Sequence, residues 1–62
     1  MKQYHIIHEK ETNKYWFILP DDIEIEVSKN LIEKIDFNKL YIKLYSYYLS
    51  DIERYNRVKE ML

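Results

Sequence analysis

His5 and His8 are the residues best suited by type to hold a metal or move a proton. They stand three apart in a β-prone run, so their side chains point to opposite faces and cannot share an ion within one hairpin. His8-Glu9 opens like a zinc-protease motif, but Thr12 occupies the place of the second histidine. Carboxylates come in pairs at Asp21/Asp22 and Glu24/Glu26. Glycosidase-type chemistry needs two carboxyls facing each other across a cleft that separates their pKa values. A turn and a strand edge offer solvated positions instead. With no cysteine, disulfides, zinc thiolates and thiol nucleophiles are excluded. With no glycine, so is every Gly-rich phosphate loop. The three serines and Thr12 sit in no nucleophile motif. The expectation is a non-enzymatic chain with no catalytic, cofactor-binding or metal-binding residue.

Aromatic sheets can also stack bases. Tyr4, Tyr15, Trp16 and Phe17 supply rings, and Lys2, Lys10 and Lys14 lie near them. Glu9, Glu11, Asp21, Asp22, Glu24 and Glu26 share that segment, and a locally acidic sheet opposes phosphate. Arg54, Arg57 and Lys59 make a better basic patch, diluted by Glu53 and Glu60. Residues 1–31 carry four lysines against six acids, net −2; residues 32–62 carry six basic residues against five acids, net +1. Neither half is a basic arm.

The elements that position these residues follow from hydrophobic period. Residues 3–9 and 15–19 read as two strands joined by the polar loop Lys10-Glu11-Thr12-Asn13-Lys14. Asn13 is the best candidate for a left-handed position. Pro20-Asp21-Asp22 ends the second strand, since proline donates no ladder hydrogen bond. Ile23-Glu24-Ile25-Glu26-Val27 alternates strictly and reads as a third, half-buried strand with its glutamates on the exposed side. From Ser28 the period changes. Ser28 or Asn30 can cap a short helical turn over residues 31–35, and Asp36 can cap a long helix. At 100° per residue, Phe37, Tyr41, Leu44, Tyr45, Tyr48, Ile52, Tyr55 and Leu62 fall within about 60° of one line, and Leu40, Ile42, Leu49 and Val58 widen the stripe. The fold class is therefore α+β: a three-stranded antiparallel meander, a short helical turn and one long C-terminal amphipathic helix. One helix over residues 37–62 would run about 39 Å, longer than the roughly 27 Å diameter of a globule this size. The alternative is a break near Ser50, where Ser50-Asp51-Ile52-Glu53 matches a capping box. The continuous helix is the preferred reading, since no proline or glycine enforces a break.

Tyr15-Trp16-Phe17-Ile18-Leu19 is apolar on both faces. A two-residue Asp21-Asp22 turn would set Trp16 and Ile18 beside Ile25; a three-residue turn would set Tyr15, Phe17 and Leu19 there. Either way large side chains remain on the other face, and contiguous exposed aromatic surface usually marks a partner. Tyr15, Trp16, Phe17 and Ile18 are the expected partner-binding residues. Tyr41, Tyr48, Tyr55 and Leu62 recur at seven-residue spacing, the pattern of a self-association seam.

Sixty-two residues make one small domain, residues 1–62, which buries only about 60% of its unfolded surface. Chains this small add staples or an oligomer interface. Without cysteine, a dense aromatic core or a partner is left; aromatics at 16% suit either and exclude disorder. The longest apolar run is too short for a membrane span, and Met1-Lys2-Gln3-Tyr4-His5 lacks the apolar stretch of a secretory signal, so a cytoplasmic protein is expected. Phe, Tyr, Met, Ile, Asn and Lys supply 32 of 62 residues, which points to an AT-rich genome such as that of a phage or other mobile element. The expected function is a regulator or inhibitor that occupies a surface of a larger host or foreign protein and forms a homo-oligomer. A small dimeric nucleic-acid-binding regulator and a structural subunit of a larger assembly are the alternatives.

Overall fold

The computed structural model describes residues 3–62. Met1 and Lys2, which enter the readings of the N-terminal segment and of the basic residues near the sheet, lie outside the described residues. Strands β1 (His5–Glu9) and β2 (Lys14–Leu19) form the expected hairpin. Its loop turns through Asn13 at φ 55°, a left-handed position that asparagine tolerates. The Thr12 hydroxyl donates to the Glu9 carboxylate, and His8 Nε2 lies 2.9 Å from Asn13 Oδ1. Strand β3 (Ile23–Val27) pairs antiparallel with the other side of β2, giving the order β1-β2-β3.

The turn between β2 and β3 decides how the sheet faces its helices. Pro20, Asp21 and Asp22 all lie in it, with Asp21 and Asp22 at φ 67° and 57°. Proline fixes the entry, and short aspartate side chains accept left-handed φ where bulkier residues would not. Three loop residues set Leu19 opposite Ile23, Phe17 opposite Ile25 and Tyr15 opposite Val27. The inner face is thus Tyr15, Phe17, Leu19, Ile23, Ile25 and Val27. Trp16 and Ile18 point the other way.

Residues 28–36 form successive hydrogen-bonded turns: Leu31 and Ile32 donate to the Ser28 carbonyl (2.9 and 3.2 Å), and Lys34 and Ile35 to that of Leu31 (2.9 and 3.2 Å). Helix α1 (Phe37–Ser50) starts at Asp36, whose carboxylate accepts the Lys39 N–H at 3.3 Å. The preferred reading of one helix to residue 62 is corrected here. The helix stops at Asp51 (φ −151°, ψ 80°), and α2 (Ile52–Glu60) begins anew. The cap is Asp51, which accepts the Arg54 N–H at 3.2 Å on its side chain and the Tyr55 N–H at 3.0 Å on its carbonyl. Ser50, the first residue of the apparent capping box, instead donates its hydroxyl back to the Ser46 carbonyl at 2.8 Å. The break lets the chain end fold back on the sheet. The rings of Tyr48 and Tyr55 meet edge to face at 5.2 Å, and the Leu62 carbonyl accepts the Ser28 N–H at 2.7 Å. The molecule measures 35 × 25 × 20 Å, shorter than a single straight helix would need.

Replacing Asp51 by alanine removes this cap and is expected to cost about 1 kcal/mol, since the Arg54 pair beside it is exposed and adds little. Ser50→Ala is expected to change stability by less than about 0.5 kcal/mol. Urea midpoints of the two variants check the order; a larger loss for Ser50→Ala would move the cap.

Tyr4, Phe17, Leu19, Ile25, Val27, Leu44 and Tyr55 form the buried core. Ile42, Leu49 and Ile52, which the periodicity counts into the apolar stripe, are exposed. At 100° per residue Ile42 and Leu49 lie about 160° and 140° from Leu44, on the opposite side of α1. Ile52 follows the break and so leaves the α1 line. Among the described residues no helix is long and apolar enough to cross a membrane.

Candidate functional site

The strict alternation of β2 splits the four strand residues expected to bind a partner into two pairs. Phe17 is fully buried, with its ring edge to face against Tyr4 (5.3 Å) and Phe37 (5.1 Å), so it drops out of any binding surface. Tyr15 shares its face, stacks on the His8 ring at 4.4 Å and borders the turn segment at Lys29, Asn30 and Ile32. Segment 28–36 therefore covers the inner face at Tyr15. It leaves the other face alone.

That other face carries Trp16 and Ile18. Trp16 lies between Ile7 on β1 and Glu26 on β3, and Ile18 between His5 and Glu24. Ile7, Glu9, Trp16, Ile18 and Glu24 line a small hollow of about 200 Å³. None of these apolar side chains belongs to the residues packed around the core. The two helices lie on the opposite side, against Phe17, Leu19, Ile25 and Val27. The rim is mainly acidic, and the Lys14 ammonium beside it sits 3.8 Å from the Glu26 carboxylate. A half-buried tryptophan beside two isoleucines, ringed by exposed carboxylates, is a surface chemically suited to apolar groups.

The histidines separate as their spacing requires. His5 lies on the outer face and His8 on the inner, each exposed. Among the described residues no group of three or more His, Asp or Glu side chains is placed to hold a metal ion.

The heptad tyrosines face inward. Tyr55 is buried, and Tyr41, Tyr48 and Leu62 pack around the core. Packing on the core takes up much of this seam, with Tyr55 buried and Tyr41, Tyr48 and Leu62 half-buried. Their rings belong to a stacked series that the sequence reading missed. Tyr4 meets Tyr41 at 5.4 Å, Tyr41 stacks on Tyr45 at 5.8 Å, and Tyr45 on Tyr48 at 6.0 Å, before the series ends at Tyr55. The i, i+3/i+4 spacing of tyrosines 41, 45 and 48 was the available signal. The Tyr4 hydroxyl donates to Asn38 Oδ1 at 2.6 Å, and the Tyr45 hydroxyl to Asp21 at 3.4 Å. Desolvation, followed by the Asp21 charge, holds the Tyr45 phenol above its ordinary pKa; burial does the same for Tyr55. Both stay neutral at physiological pH.

A second apolar surface lies on α1, where Tyr41, Ile42, Tyr45 and Leu49 flank an open groove of about 410 Å³. Ile42 and Leu49 lie on the outward side of the helix and the half-buried Tyr41 and Tyr45 at its flank; the surface carries no tryptophan.

Compared with known protein families, curated proteins and solved structures, the chain matches none. Fold and surface alone define its class, a small α+β protein with helices on one sheet face and, among the described residues, the other face bare.

Proposed function

We propose that the chain is a non-enzymatic regulator or inhibitor that acts by covering a surface of a larger protein with the outer face of its sheet. The observation that carries this reading is the position of Trp16, Ile18 and Ile7 on a face that no described element of the chain covers. Tryptophan is the residue most enriched where binding energy concentrates, and a contiguous aromatic and aliphatic patch on so small a chain marks a contact site. The hollow beside it, about 200 Å³, is smaller than the roughly 300–1,000 Å³ of ligand-binding clefts, which favours binding over catalysis. The acidic rim of Glu9, Glu24 and Glu26 disfavours a polyanion. On α2, Arg54 pairs with Asp51 at 3.8 Å and lies over the Tyr47 ring, while Lys59 lies over that of Tyr55, so two of the three best basic groups have partners within the fold. These features weigh against the nucleic-acid alternative. A cytoplasmic protein encoded by a phage or other mobile element belongs to the same reading, on the AT-rich residue usage.

The test compares capture of a protein partner from host lysate by the parent chain and by Trp16→Ala. The variant is expected to stay folded, because Trp16 is outside the core, and to bind more weakly by about 2 kcal/mol, roughly 30-fold. Folded Trp16→Ala and Ile18→Ala chains that retain the same partner at full affinity would remove the sheet face from the interface.

A further inference from the structure

Among the described residues, strand β1 has only one neighbour in the sheet, β2, and its other edge is free. All five of its residues are exposed. Ile6 on the inner side is 41% exposed and Ile7 on the outer side 49%, so its centre is apolar on both faces and covered on neither. Natural edge strands normally carry lysine, proline, a bulge or an inward charge that blocks pairing. The sequence His5-Ile6-Ile7-His8-Glu9 has no proline or lysine, and its register with β2 runs unbroken from His5 to Glu9. The opposite edge is guarded: β3 carries Glu24 and Glu26, and the chain end is tied beside it by the Ser28–Leu62 hydrogen bond.

We propose that the free edge of β1 pairs antiparallel with β1 of a second copy, about a two-fold axis through Ile7, joining two three-stranded sheets into one of six strands. The strand's own residue pattern selects this arrangement. Complete antiparallel overlap of five residues on their copy has one solution. It sets His5 opposite Glu9 of the second copy at each end, Ile6 opposite His8, and Ile7 opposite Ile7. Directly opposed residues in an antiparallel pair share a face, so the two His5–Glu9 pairs and the central isoleucines all lie on the outer side. Moving the axis to Ile6 discards both His5–Glu9 pairs. Moving it to His8 sets Ile6 opposite Lys10 and Ile7 opposite Glu9. Parallel pairing sets His5 near His5 and Glu9 near Glu9. Only the axis at Ile7 opposes unlike groups at both ends and like apolar groups in the middle.

Pairing through one five-residue strand is a minimal contact, so self-association is expected to be weak and is sought from roughly 10 µM to 1 mM chain. The pairing does not depend on what binds the outer face, although it would set the two copies of Ile7, each beside its own Trp16, into one apolar strip.

The chain has no cysteine, so one introduced thiol reports the axis directly. Ile7→Cys is expected to form a disulfide-linked dimer on mild oxidation, while Ile42→Cys, exposed on α1, stays monomeric. In sedimentation, His5→Glu and Glu9→Lys are each expected to weaken self-association at least several-fold. Mixing these two variants restores a heterodimer. At one end the introduced carboxylate faces the introduced ammonium, and at the other the original Glu9–His5 pair is kept. Circular dichroism verifies that each is folded; His5 lies at the exposed end of β1, so its variant remains informative if Glu9→Lys disturbs the hairpin. The proposal is overturned by a monomer throughout that concentration range, by crosslinking at residue 42 and not at residue 7, or by self-association indifferent to both charge changes.

Discussion

Phe17→Ala is expected to lower the melting temperature of the chain sharply or to unfold it, whereas Trp16→Ala, one residue earlier on the same strand, is expected to leave melting close to that of the parent. The difference comes from three residues in a turn. Because Pro20, Asp21 and Asp22 all lie in the β2–β3 loop, Phe17 opposes Ile25 on the helix-facing side of the sheet. Its ring is wholly buried and makes edge-to-face contacts with Tyr4 and Phe37. Cutting a buried phenylalanine to alanine costs about 3–5 kcal/mol, part of it from the cavity left behind. At roughly 0.05–0.15 kcal/mol per residue, a chain of this length holds only about 3–9 kcal/mol in total. The loss is therefore from about a third to all of the stability. Thermal melts followed by circular dichroism decide it: a Phe17→Ala chain melting within a few degrees of the parent would put Phe17 outside the core and exchange the two faces of β2.

That choice of face was the one feature of the sheet the sequence left open. The three strands, the left-handed Asn13 and the exposed Glu24 and Glu26 were all legible, because period-two alternation and turn residues are local signals. The loop length was not. Without glycine the marker at this turn is weak: Asp21 and Asp22 both take left-handed positions where ordinary turn geometry allowed either loop. The candidate surface inherits that ambiguity: the run from Tyr15 to Ile18 is one apolar block in sequence, although alternation sends Trp16 and Ile18 one way and Tyr15 and Phe17 the other. The heptad tyrosines were ambiguous for a different reason. An inward stripe and a self-association seam have nearly the same period, and only the position of the sheet tells them apart.

The same limit applied to the helix, and Leu44→Ala against Leu49→Ala measures it. Both leucines are apolar, five positions apart, and the periodicity places both in one widened stripe. In the fold Leu44 is fully buried against the sheet and Leu49 is 67% exposed. Leu44→Ala is expected to destabilise by about 2–5 kcal/mol, the range for buried leucine, where the loss depends on how far Phe17 and the neighbouring core can close on the gap. Leu49→Ala is expected to change stability by no more than about 0.5 kcal/mol. Alanine is also the better helix former at an exposed position, which offsets the small lost contact. Urea denaturation of both variants reads the difference as a shift in midpoint at constant slope. Equal losses at the two sites would mean that α1 is rotated on the sheet. The bare helix face at Ile42, Tyr45 and Leu49 would then belong to the core, leaving the outer sheet face as the larger apolar surface exposed by the chain.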